Sequence, residues 1–373
     1  LAKARKNLEE VGHKDLLASN CMVQGRLSVW RADLEEAKTC FSLGARLWEE
    51  MGRHKEAVRS LIEKGRVHLL QGDLKAAVED LRAVETIDDP TVRGWGLLLE
   101  GDIHRDQGDL ESARRCHMEA GVLAQKAGLQ EVECIGYLEL GRDLLIGSRL
   151  NQANRAITHG FQRARQLGRR RFMVMAGRGL ADLYMRTGRA DRAVEFYSAA
   201  REQARQVGLL DLLPGILSSL AEALIARRED LNVALEAGKE AYALAEKLGS
   251  PAARIDALYA IVSTVLAAGK IRKADRHLER LVRDSEAFGS PYLLAKSHLL
   301  AARVAQATGD QDRAQAEALA SVELSNHLGC VWLAVPAWLV LTELDPANEV
   351  HRKSWHDAAE TMADAIAGIT SEG

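Results

Sequence analysis

A hydrophobic residue followed by glycine returns about every forty residues along this chain of 373 residues, and no other feature limits the fold as strongly. The pairs are Val11-Gly12, Met51-Gly52, Ala127-Gly128, Leu167-Gly168, Val207-Gly208, Leu248-Gly249, Phe288-Gly289 and Leu328-Gly329. From Gly128 onward the glycines lie 40, 40, 41, 40 and 40 residues apart. A second series keeps the same beat: Ala37, Ala77, Ala113, Ala153, Ala193, Ala234, Ala274 and Ala314. One interval, Ala77 to Ala113, shrinks to 36, and Asp88-Asp89-Pro90 stands where its glycine is expected. A period of this length belongs to a stacked solenoid, in which each unit buries its apolar face against its neighbours.

Within a unit the pattern is helix, tight turn, helix. In residues 94–128, Leu97, Leu98, Gly101, Ile103 and His104 recur at helical spacing until Gln107-Gly108-Asp109-Leu110 breaks the run. Ala113, His117, Ala120, Leu123 and Ala124 then mark a second helix, which Gly128 closes. The turn returns as Gln71-Gly72-Asp73-Leu74, Thr187-Gly188-Arg189-Ala190, Ala268-Gly269-Lys270-Ile271 and Thr308-Gly309-Asp310-Gln311. Ser250-Pro251 and Ser290-Pro291 suit helix starts, and no run alternates with period two, so no strand is expected. Gly65, Gly101, Gly141 and Ala181 lie twelve residues before the repeat alanines, where a small side chain lets two helix backbones approach closely.

Large residue, small residue, Gly-Asp turn and second-helix alanine together resemble the tetratricopeptide repeat, most clearly in residues 94–120. The resemblance covers nearly the whole chain, with a longer, forty-residue period. It implies an all-α, right-handed α-solenoid of about eight antiparallel helix pairs plus a C-terminal closing helix. Residues 1–12 read as the tail of a preceding, truncated repeat, 13–329 as the array, and 330–373 as a degenerate last helix and a capping helix. The chain begins with Leu, so it is expected to be a fragment of a longer protein. The unit around Ala234 departs from the pattern, with Arg227-Arg228-Glu229-Asp230 where the glycine turn belongs.

Chemistry is scarce. His104-Arg105-Asp106 matches the start of a kinase catalytic loop, but Glu111 stands where asparagine is needed and no glycine-rich phosphate loop occurs. His351 and His356 are five apart and do not share a helix face as a metal pair would. No P-loop, nucleophile elbow or H-E-x-x-H is present, so the expectation is no catalysis, no cofactor and no metal. Net charge of −3 argues against broad nucleic-acid binding. Five cysteines without C-x-x-C spacing fit a reducing, cytoplasmic setting, and no apolar stretch is long enough for a membrane span. Arg163, Arg165, Arg169, Arg170 and Arg171 around Gly168 suit either a solvated junction or a phosphate or acidic partner.

In tetratricopeptide arrays the first helices line the concave surface. That frame puts Arg26, Arg66, Asp102, Arg142 and Asp182 at one groove position, with Arg178, Arg186 and Arg227 at neighbouring ones and Trp95, Leu138 and Tyr259 among them. The implied partner is an extended peptide or protein carrying carboxylates in the concave groove, or another domain of the same parent chain. The forty-residue units also resemble the helical arrays attached to bacterial signalling ATPases, MalT-like transcription regulators and some kinases. This resemblance implies a non-catalytic regulatory scaffold. A second reading is a small-ligand or peptide-pheromone sensor controlling an attached effector domain, with a pocket near Trp95, Leu138 and Tyr184.

Overall fold

The computed structural model describes residues 7–8, 12–228 and 230–370. Among these it contains eighteen helices and no strand. The first helices of the pairs are α1 (Lys14–Trp30), α3 (His54–Leu70), α5 (Pro90–Asp106), α7 (Gln130–Ile146), α9 (Arg170–Arg186), α11 (Leu213–Ala226), α13 (Pro251–Ala267) and α15 (Pro291–Thr308). Their partners are α2 (Leu34–Glu50), α4 (Leu74–Arg82), α6 (Leu110–Ala127), α8 (Leu150–Leu167), α10 (Ala190–Val207), α12 (Leu231–Leu248), α14 (Ile271–Phe288) and α16 (Gln311–Leu328). Two further helices, α17 (Val331–Leu344) and α18 (Glu349–Thr370), follow. Most of residues 1–12 lies outside the described residues, so the truncated-repeat expectation has no structural counterpart here.

The small-residue positions act as expected. A Cβ on Gly141 would stand 2.5 Å from Ile157 Cγ1, and one on Gly101 would meet the His117 ring at 2.5 Å. The repeat alanines opposite, Ala113 and Ala153, have no exposed surface. Each pair therefore closes at backbone-to-side-chain contact, and the spacing between its helices is fixed by sterics.

The turn inside each pair needs one left-handed residue. Glycine fills that place at Gly72, Gly108, Gly188, Gly269 and Gly309, but Ala32, Ser148 and Arg228 hold it at φ of 60°, 57° and 56°. The departure around Arg227-Arg228 thus keeps the shared turn, using a residue that pays for the conformation. Asp230 then caps α12, its carboxylate accepting from Asn232 N at 2.8 Å.

The 36-residue interval comes from α4, which has 9 residues where the other second helices of the array have 17 or 18. Four missing residues amount to about one helical turn. A short 3-10 segment, Ala83–Thr86, replaces it, and Val84 packs onto Gly96 so closely that a Cβ there would sit 2.7 Å away. Asp89 and Pro90 then restart the array, with Asp89 accepting from Thr91 N and Val92 N.

The superhelix touches itself after one turn. Leu210 N, before α11, donates to Trp30 O at 2.7 Å, at the end of α1. Gly72 faces Pro251 and Phe288, Gly108 faces Pro291, and Trp332 N donates to Ser148 Oγ at 3.3 Å. The turn of each of the first four pairs therefore meets the start of the first helix five units after it. At the end of the chain α17 takes the place of a ninth first helix. Met362, Ala365, Ile366 and Ile369 of α18 pack on the apolar cluster that holds Leu140, Leu144 and Ile157 of α7 and α8.

Gly188 has nothing within 4 Å of where a Cβ would stand, so Gly188→Ala isolates the conformational cost of the turn. It should lower stability by about 1 kcal/mol. Exposed Arg228→Gly should move the urea midpoint the opposite way.

Candidate functional site: a charged recess inside the superhelix

First helices of five consecutive pairs wall a recess. Arg142 comes from α7, Arg178, Asp182 and Arg186 from α9, and Glu222 from α11. Asp256 comes from α13, and Tyr292 and Lys296 from α15. Tyr197 of α10 closes the floor. Four cations thus face three carboxylates in this space. Helical spacing explains their convergence, since residues at one heptad-like face of each first helix point inward and stack at the repeat period.

The charges are partly matched within the wall. Lys296 Nζ lies 2.9 Å from Asp256 Oδ1 and 3.3 Å from Glu222 Oε1, and sits 4.3 Å above the Tyr259 ring. Tyr197 donates to Asp182 Oδ1 at 2.5 Å, and Arg178 Nε is 3.8 Å from Asp182 Oδ2. Arg186 stacks its guanidinium 3.2 Å over Trp332 of α17, a contact across one superhelical turn. Arg142 keeps 46% of its side chain open, its nearest described carboxylate being Glu139 at 3.8 Å. Arg142 is the most open of these cations, and Arg178 likewise reaches its carboxylate only at 3.8 Å.

Burial alone would drive these groups toward their neutral forms. For Lys296 burial pulls downward, but Asp256 and Glu222 outweigh it and hold the ammonium well above its ordinary value. Burial raises Asp256, but Lys296 outweighs it and its carboxyl ends lowered. Burial pushes the Tyr292 phenol up to about 12, and burial together with Asp182 pushes Tyr197 well above 10. The recess therefore presents fixed charges and neutral phenol donors around neutral pH.

Beside it lies a second network. Arg105 pairs with Asp102, with Glu139 at 2.8 Å and with Asp143 at 3.0 Å. His117, fully buried, contacts Asp143 Oδ2 through Nδ1 at 2.6 Å. The kinase-like His104-Arg105-Asp106 is thus the end of α5, with Arg105 in a structural ion cluster.

The residues picked from the repeat frame divide. Arg142, Arg178, Asp182 and Arg186 come together in the recess. Arg26 pairs with Glu63 at 2.9 Å, and Arg66 lies half-buried near the same carboxylate, both away from the recess. Asp102 belongs to the Arg105 cluster, and Arg227 pairs with Asp191 at 2.9 Å at the turn after α11. Tyr259 is buried under Lys296. Two residues need correction. Leu138 packs onto Gly160 between the helices of its pair and offers no groove surface, because at this register the helix turns an apolar face to its partner. Trp95 is buried and covered by the Arg59 guanidinium at 3.8 Å. Tyr184 packs on Phe196, and the surface recess that Trp95 lines, with Leu129, Val132 and Leu167, includes neither Leu138 nor Tyr184.

Sequence reading missed Glu222, Asp256, Tyr292 and Lys296. A signal existed: Glu222 stands forty residues after Asp182 at the same groove position, and Asp256 and Lys296 are also forty apart. Opposite charges one period apart mark ion pairs between adjacent units, as with Arg171 and Asp211 at 2.7 Å. That pair, Arg163 with Glu133 and Arg169 with Glu131 occupy much of the arginine cluster around Gly168.

No protein-family model matches the chain, and no curated protein does. Solved structures do. A Rap protein complexed with Competence and Sporulation Factor is similar at a TM-score of 0.67 and 11% identity, covering 95% of this chain and 99% of that one. NprR in complex with its cognate peptide NprX gives 0.63 and 12%, covering 92% and 99%. A signal transduction ATPase with a tetratricopeptide repeat sensor from Pyrococcus horikoshii gives 0.50 and 17%, covering 93% and 51%. The fold is a tetratricopeptide-like α-solenoid. A further structure of this fold, at 0.51 and 13% over 93% and 92%, is named aspartyl phosphate phosphatase F from Bacillus subtilis. At these identities the likeness establishes the architecture, and no helix among the described residues is long and apolar enough to cross a membrane.

Glu139 supplies a test of the charge network. Burial raises its pKa, but Arg105 and Arg142 outweigh burial and bring it to about 2 from 4.5. A lowered folded-state value means its stabilisation is complete above pH 4.5 and drains away as pH falls toward 2. Burial raises Asp106, which opposes this trend. Glu139→Gln should flatten the acid limb of the urea midpoint against pH.

Proposed function

We propose that the chain is a non-catalytic regulatory module that takes a short, extended peptide into the recess of its superhelix. The peptide's carboxylates meet Arg142 and Arg186, and its amino groups meet Asp182 and Glu222. The observation that carries this reading is the recess itself: alternating fixed charges with spare donor capacity, enclosed by five consecutive first helices. A fold relative supports it: NprR, similar to this chain over nearly its whole length, is in complex with its cognate peptide. A backbone-extended ligand can touch one repeat after another, which is how solenoid concave faces engage partners. The regulated target is a protein partner or a domain of the same parent chain, in the cytoplasm.

A charged metabolite is the second reading, since the same fixed cations and carboxylates would pair with the carboxylate and amino groups of a small molecule. A calorimetric screen of short acidic peptides beside small carboxylates separates the two. Arg142→Glu should weaken the bound peptide at least tenfold, about 1.4 kcal/mol, while Arg66→Glu, away from the recess, changes little. Equal binding by wild type and Arg142→Glu would overturn the recess as the site.

A further inference from the structure

The geometry points to a transition-metal site formed by Glu100 and His104 of α5 and Cys116 of α6, with zinc as the ion its donors suit. One donor atom from each residue lies within 4.8 Å of the other two. Glu100 and His104 are four residues apart on one helix face, and His104 Nε2 is 3.9 Å from Glu100 Oε1. A tetrahedral ion with bonds of about 2.0–2.3 Å holds neighbouring ligand atoms roughly 3.4–3.7 Å apart, so small side-chain rotations complete the set. The other ring nitrogen, His104 Nδ1, is 3.8 Å from Asp109 Oδ2, the carboxylate position that orients a metal-bound imidazole.

The repeat supplies an internal comparison. In the second pair the equivalent residues, thirty-six earlier, are Lys64, His68 and Asp80. There Lys64 Nζ lies 2.8 Å from Asp80 Oδ1 and His68 Nδ1 lies 2.9 Å from Asp80 Oδ2. In the fourth pair the place is apolar, with Leu140, Leu144 and Ala156. The third pair keeps polar residues but loses the built-in lysine cation: a carboxylate, an imidazole and a thiol converge, and the neighbouring Arg115 donates to Ser112 Oγ. An external cation takes the place that the ammonium fills one unit earlier.

Carboxylate, imidazole and thiol together suit Zn2+ and exclude the all-oxygen preference of Mg2+ and Ca2+. Cys116 is buried while Glu100 and His104 keep 43% and 29% of their side chains exposed. The ion would be anchored from inside and leave its fourth position to water. Binding releases the Cys116 thiol proton to solvent.

The test is titration of the reduced, metal-free protein with Co2+, read by the thiolate-to-cobalt charge-transfer absorption, followed by displacement with Zn2+. Wild type should show the band at one equivalent. Cys116→Ser should abolish it, and Cys40→Ser, the equivalent place in the first pair, should keep it. Asp109→Asn preserves the cap on α6 and should weaken the ion about tenfold. No band in the wild type, or a band that survives in Cys116→Ser, overturns the site. Should Cys116→Ser fail to fold, Glu100→Gln on the exposed side carries the decision: at least tenfold weaker binding supports the site, and unchanged affinity overturns it.

Discussion

Close approach of the two helices in each pair is the constraint from which the rest of the molecule follows. Where Gly101 and Gly141 face His117 and Ile157 there is no room for a methyl group, so the helices meet at a fixed distance and angle. A fixed geometry inside each unit, repeated, fixes the rotation from one unit to the next. After five units that rotation brings the turn of one pair onto the start of another, and Trp30 meets Leu210 as Ser148 meets Trp332. An ordinary solenoid couples only neighbours. Here the seam adds contacts between distant units, so the array should unfold more cooperatively than independent repeats would.

Closure also decides the electrostatics. Charges on the inner faces of first helices would be solvated on an open groove, where ion pairs contribute little. Inside the closed turn they face one another, and Lys296 with Asp256 and Glu222 must be paired to remain charged. The same enclosure makes the recess a place where a ligand's charges count for more than on a surface.

The array uses one backbone for several chemistries. At the place between the helices of a pair, successive units set an amide, hydroxyl and thiol at Gln24, Ser28 and Cys40, then a lysine–aspartate pair, then Glu100, His104 and Cys116, then leucines. The backbone tolerates each because the small residue and the repeat alanine, not these side chains, hold the helices together.

The sequence alone determined the architecture. A period of forty residues with a glycine, an alanine and a small residue in fixed phase leaves helix pairs as the only unit that buries its apolar face at that length. The resemblance to tetratricopeptide arrays put Arg142, Arg178, Asp182 and Arg186 at related positions of successive first helices, and the structure gathers these four around one recess. The sequence could not place Leu138 or Trp95, whose burial depends on the rotation of each helix against its neighbours. Nor could it give the seam or the full recess, since Arg186 and Trp332, or Glu222 and Lys296, meet only when small rotations between units have accumulated over a whole superhelical turn. Local spacing fixes each step of such a stack, while which distant residues touch depends on the sum of the steps, and only the tertiary structure carries that sum.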